Sequence, residues 1–133
     1  MGRKPRDVTE AELSVLRVLW DRGSCSVREI TDELYPEGNN SDFATVQKLC
    51  ERLEAKRVVR ADRRRRPYRF VARMDRDSLM ERKLKAVAEE LCAGSLSPLV
   101  SNLLRGGRFS SEELRELRQA VEQLQRNQGK ADA

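Results

Sequence analysis

Residues 42–71 read DFATVQKLCERLEAKRVVRADRRRRPYRFV, and the apolar period changes partway along them. In the first half Val46, Leu49, Cys50 and Leu53 fall at i, i+3, i+4 and i+7, the stripe of an amphipathic helix that Asp42 can cap. Ala44, Thr45, Gln47, Lys48, Glu51 and Arg52 are left on or beside its outer face. The second half alternates instead: Val58–Asp62 and Tyr68–Val71 are β-branched or aromatic runs flanking Arg63, Arg64, Arg65 and Arg66. This predicts a β-hairpin with four arginines at its tip.

Upstream, Thr9-Glu10-Ala11-Glu12 has capping-box spacing ahead of Leu13, Leu16, Leu19 and Trp20, predicting a helix over about 10–21 that Gly23 ends. Ser26-Val27-Arg28-Glu29 repeats the pattern before Ile30 and Leu34, giving a second helix to about Tyr35, then Pro36, Gly38 and the polar Asn39-Asn40-Ser41. Three helices and a hairpin within about 65 residues is the order of a winged helix-turn-helix, whose third helix enters the DNA major groove while the wing follows the phosphates. Each piece alone has a plainer reading, since an arginine run is commonly a solvated turn and Thr45, Gln47 and Lys48 could be an ordinary wet helix face. Four like charges at one tip repel unless a polyanion supplies counter-charge, and Thr45, Gln47 and Lys48 open the third helix, where base or phosphate contacts are made.

Downstream, Asp77 or Asp75 can cap a helix carrying Leu79, Leu84, Val87, Ala88 and Leu91 up to Gly94. Ser97-Pro98 starts another with Leu99, Val100, Leu103 and Leu104, stopped by Gly106-Gly107, and Ser110-Ser111-Glu112-Glu113 opens a last one with Leu114, Leu117, Val121 and Leu124. Three short leucine-rich helices have too little surface for a closed core of their own. A second subunit completes it most simply, so Leu84, Val87, Leu91, Leu99, Val100, Leu103, Leu104, Leu114, Leu117 and Val121 are the expected homodimer contacts. The expected division is therefore a winged-helix domain over 1–74, a helical dimerisation domain over 75–126 and a flexible polar tail over 127–133: a mostly α protein with a small β-hairpin wing.

Composition agrees with two jobs. Residues 1–74 hold 17 Lys plus Arg against 12 Asp plus Glu, and residues 75–133 hold 10 of each, so the net charge of +5 belongs to the first unit. Of 133 residues none is His, which removes the Ser-His-Asp and Cys-His couples and imidazole metal ligands; no enzyme, metal or cofactor is expected. Cys25, Cys50 and Cys92 fit neither a disulfide framework nor a metal site and read as reduced thiols. No apolar run of about 18 residues occurs, and the basic segment from Met1 to Asp7 lacks a signal-peptide core, so a soluble cytoplasmic protein is expected.

On these residues the sequence resembles the penicillinase and methicillin-resistance repressor family, over about residues 7–125. The likeness is carried by Thr9-Glu10-Ala11-Glu12-Leu13 through Val18-Leu19-Trp20, by Thr45-Val46-Gln47 with Leu49, Arg52-Leu53 and Lys56, and by Arg66, Tyr68 and Phe70. The resemblance implies an N-terminal winged helix on an inverted-repeat operator of double-stranded DNA and C-terminal helices interlocked as a homodimer, and it carries DNA contact over to Thr45 and Arg52. It also implies a membrane sensor-protease that answers a β-lactam by cutting the dimerisation domain; Asn102-Leu103 falls on the family's scissile Asn-aromatic dyad, with Leu in the aromatic place. The chain departs from the family at Lys48, where a small hydroxyl residue is common, and at Arg57 and near Arg65, where glycine is. Lys48 shifts the contact from a base methyl towards phosphate or guanine. With no Cys after Cys92, the cysteine cluster of the copper-responsive branch is absent.

Two functions stand side by side: a dimeric, sequence-specific transcriptional repressor, and a winged-helix module that binds nucleic acid without sequence preference or docks protein. A small-molecule sensor would need an apolar pocket with a few convergent polar groups, and no segment of the sequence advertises one.

Overall fold

A computed structural model describes residues 7–132; the first six residues, with most of the basic N-terminal segment, lie outside them, as does Ala133. The element order is α1 (Glu10–Arg22), β1 (Cys25–Ser26), α2 (Val27–Leu34), α3 (Asn40–Ala55), β2 (Val59–Asp62), β3 (Arg69–Ala72), α4 (Arg76–Leu91), α5 (Ser97–Arg105) and α6 (Ser111–Asp132). The chain divides into two units between Lys83 and Leu84, inside α4.

Each of the first three helices starts on a reciprocal capping box. The Thr9 hydroxyl accepts from the Glu12 N–H while Glu12 accepts from the Thr9 N–H, and the pairs Ser26–Glu29 and Asn39–Asp42 do the same. Asp42, the cap of α3 that the sequence suggests, is instead its third helical residue, and Asn39 is the cap. The amide of Asn39 takes the orphan N–H and the carboxylate reaches back, so the helix starts two residues earlier than the expected cap. At the other end of α1, Gly23 adopts φ 82° and donates its N–H to the Leu19 carbonyl at 2.8 Å, a cap conformation that costs glycine little.

The sheet has the order β1-β3-β2, all antiparallel, with Ala61 opposite Phe70 and Phe70 opposite Cys25. The hairpin is therefore part of a three-stranded sheet. Strand β1 spans two residues, too short for a period of two to show in sequence. Leu16, Ile30, Val46, Leu53, Val58 and Phe70 meet in the core between the helices and the sheet. Trp20 closes its edge by donating its indole N–H to the Met74 carbonyl at 2.8 Å.

One charge lies inside this unit. Glu12 is buried and accepts from Lys56 Nζ at 2.6 Å, and the same ammonium donates to the Asp7 carbonyl at 2.7 Å. Burial would raise the Glu12 carboxyl, but hydrogen bonds from Lys56 and Thr9 and the charges of Lys56 and Arg52 hold it below the ordinary range. The ion pair ties the end of α3 to the first turn of α1.

Of the two capping candidates for α4, Asp75 serves, accepting from the Ser78 N–H at 2.8 Å. Helix α4 ends at a loop where Ala93 and Gly94 take positive φ, and α6 opens on a Ser110–Glu113 capping box. It remains helical to Asp132, through the residues whose polar composition marks a tail. In the second unit Ala88 is buried, whereas no residue of α5 is.

Candidate nucleic-acid interface

The apolar stripe of α3 turns Val46, Leu49, Cys50 and Leu53 into the core and so leaves the opposite face to solvent. Ala44, Thr45, Gln47, Lys48 and Arg52 are all exposed there. The Thr45 hydroxyl donates back to the Ser41 carbonyl at 3.0 Å, leaving its methyl and its lone pairs outward. Cys50 is core, and burial pushes its thiol up to about 12, which keeps it protonated and unreactive. Burial raises the Cys25 thiol in the same way.

At the wing the electrostatics differ from the sequence expectation of four unrelieved charges. Arg63 makes a bidentate pair with Glu54 of α3, both N–H···O distances being 2.7 Å, and Arg64 donates to both oxygens of Asp62 at 3.0 Å. The Arg63 hydrogen bond lowers the Glu54 carboxyl, and the Arg64 hydrogen bonds hold Asp62 well below the carboxylate range. Both pairs are open to water and are worth little in stability; their effect is to orient two guanidinium groups. Arg66 lies over the Tyr68 ring, 5.5 Å from its centroid, and neither Arg65 nor Arg66 has an ion pair among the described residues. The repulsion that the sequence assigns to a polyanion is thus relieved in part by the protein's own carboxylates.

Three contacts carry no mark in the sequence pattern. Glu54 holds the wing against the recognition helix across nine residues, Arg69 ties β3 to Ser24 and Glu29, and Arg28 of α2 stacks on Phe43 of α3 at 4.9 Å. Each joins different elements, so no local spacing marks it; an acid in the last turn of α3 is the only hint of the first. Among the described residues no His, Cys, Asp and Glu cluster could hold a metal ion, and no helix is long and apolar enough to cross a membrane.

An exposed polar and basic face on the third helix, beside an arginine-tipped wing, defines the DNA-binding winged-helix class. The profile of the penicillinase repressor family matches residues 8–123. The penicillinase repressor of Bacillus licheniformis is 27% identical over 121 residues, covering 91% of this chain and 94% of that protein. That of Staphylococcus aureus is 24% identical over 124 residues, covering 93% and 98%. Among solved structures, a MarR family protein from Bacillus stearothermophilus aligns with a TM-score of 0.44 at 20% identity, over 93% of this chain and 77% of that one. The chain belongs to the penicillinase repressor family, whose members are DNA-binding transcriptional repressors and not enzymes.

Proposed function

We propose that this chain acts in the cytoplasm as a homodimeric repressor that reads an inverted-repeat operator with α3 and holds the flanking phosphates with its wing. Ala44, Thr45, Gln47, Lys48 and Arg52 face the major groove, and Arg63, Arg64, Arg65 and Arg66 face the backbone. The observation that carries the reading is the exposure of that whole α3 face beside the wing arginines. Base edges admit short polar side chains at the start of a helix, and arginines near phosphate release condensed cations.

Dimerisation rests on the second unit. Leu91 is 77% exposed, Leu103 59% and Val121 55%, while Leu84, Val87, Val100, Leu104, Leu114 and Leu117 are also exposed and Leu99 is half-buried. A run of large apolar side chains in water marks a surface that another protein covers, and a second copy brings the same patch in two-fold symmetry.

Release from DNA follows cleavage at Asn102-Leu103 by a membrane sensor-protease. In support, α5 has only nine residues, no side-chain cap at its start and both dyad residues exposed, so it opens at low cost. Cutting it divides the apolar stripe that holds the dimer.

Fluorescence anisotropy against the DNA upstream of the chain's own gene and a shuffled duplex, at two salt concentrations, tests the reading. An operator margin of about 10³-fold that survives higher salt is expected; equal binding that vanishes with salt identifies a charge-only module. Thr45→Ala and Lys48→Ala narrow the margin, whereas uniform weakening would move those side chains to phosphate contact.

A further inference from the structure

Between α3 and the wing runs a groove whose wall includes Arg28 of α2, Phe43 and Gln47 of α3, and Arg66 and Tyr68 of the hairpin. No sequence segment marks it, because three elements make it together. Arg28 is exposed, and its guanidinium lies over the Phe43 ring, 4.9 Å from the centroid. Arg28 is the second residue of α2, and Phe43 is the fourth of α3, immediately before Ala44 and Thr45 of the outer face. The stack therefore fixes a cation beside the start of the third helix.

The fold gives this cation no partner of its own. A positive charge in the first turn of a helix opposes the helix dipole. Glu29, its neighbour in sequence, accepts from the Ser26 N–H at 2.8 Å and pairs with Arg69 at 3.1 Å. Among the described residues neither Arg28 nor Asp32, one turn further on, stands in an ion pair. Glu51, the acid in the groove wall, lies eight residues after Phe43, about 12 Å further along the axis of α3, and its charge acts on Arg63 there. Stacking covers one face of the Arg28 guanidinium and leaves its N–H fork in plane and able to donate. The freedom that a long side chain loses on binding is thereby lost already in the free protein.

We infer that Arg28 is a further DNA contact, a phosphate clamp on α2 that Phe43 holds in position. The inference rests on the proposed reading of DNA by α3 and deepens it. In a helix-turn-helix the first helix crosses the phosphate backbone while the second enters the major groove, and here those helices are α2 and α3. A strand lying between α3 and the wing meets Arg28 on one side and Arg66 on the other, each at a phosphate of its own. The fork of a guanidinium matches two phosphate oxygens, which a lysine ammonium meets only as a point charge. Phe43 is a positioning residue: it touches the guanidinium and acts on DNA through it.

The test is anisotropy of the full chain with the upstream and shuffled duplexes over a series of salt concentrations. Arg28→Gln weakens binding to both duplexes by about tenfold and flattens the salt slope by about 0.9, the loss of one phosphate contact. Arg28→Lys keeps the slope and loses part of the affinity, because the charge remains and the fork does not. Phe43→Leu weakens binding by about threefold in the wild type and has no further effect in Arg28→Gln, the non-additivity of two residues that act as one. An unchanged slope in Arg28→Gln, with the wild type binding normally, overturns the clamp and leaves the reading by α3 standing. A narrowed margin between the two duplexes at unchanged slope assigns Arg28 to a base edge and overturns it also. Equal weakening by Phe43→Leu with and without Arg28 overturns the positioning role of Phe43. A wild type that binds neither duplex overturns the DNA reading itself, and the clamp with it.

Discussion

Just beyond α3, the backbone takes a conformation that the side chain there disfavours. Arg57 has φ 66°, the left-handed region, and its N–H donates to the Glu54 carbonyl at 2.9 Å, ending the helix where glycine is usual. Cβ crowding in that region costs about 1 kcal/mol, so Arg57→Gly stabilises the chain by about 1 kcal/mol in urea unfolding; a loss of stability would mean the arginine side chain has a compensating role. The buried pair one residue earlier works in the opposite direction. Lys56→Ala leaves Glu12 charged, buried and unpaired, a loss of about 3 kcal/mol at neutral pH. Because the Glu12 carboxyl is held below its ordinary range, the native pair contributes fully above that range and is lost progressively as pH falls from it through the depressed folded value. In the variant the carboxyl titrates upward and neutralises, so the penalty shrinks as pH falls from neutrality towards the ordinary carboxylate range. A penalty constant with pH would show that Lys56 acts by packing alone.

The pairing of α3 with the wing predicts a result opposite in sign to the usual loss of charge. Glu54→Gln removes the carboxylate that holds Arg63 and frees a guanidinium for phosphate. Binding to all duplexes tightens and the salt slope steepens by about 0.9 for the one additional phosphate neutralised; Arg65→Ala flattens it by as much if Arg65 meets a phosphate. An unchanged slope in Glu54→Gln would show that Glu54 does not withhold Arg63 from phosphate. What is legible in sequence at this scale follows the range of the force involved. Helices α1 and α2 are readable because capping boxes and 3–4 residue periods are local, and the outer face of α3 because a stripe fixes both sides of a helix. The cap of α3 is easily misplaced onto Asp42 because both partners of a capping box are polar and either reads as the cap. Strand β1, the Glu54–Arg63 pair and the groove beside Phe43 are not readable, since each is made by residues that only the tertiary fold brings together.

For the whole molecule the expected advantage of two subunits can be put as a number. A winged helix alone reads one half-site; joining two makes the second contact intramolecular, at an effective concentration that raises overall affinity by about 10²–10⁴-fold. Leu103→Asp puts a carboxylate into the exposed apolar stripe of α5, where a dimer would have to bury it without a partner. Sedimentation should then report a monomer, and operator affinity should fall by about that factor while binding to random DNA falls much less. The single tryptophan supplies the control. Trp20 lies in the first unit, bonded to the Met74 carbonyl, so its unaltered emission certifies that the DNA-reading unit is folded while the dimer is lost. A variant that remains dimeric would move the interface off α5, and with it the reason why a cut at Asn102-Leu103 should release DNA. A variant that is monomeric yet keeps full operator affinity would break the link between the leucine-rich unit and the reading of an inverted repeat.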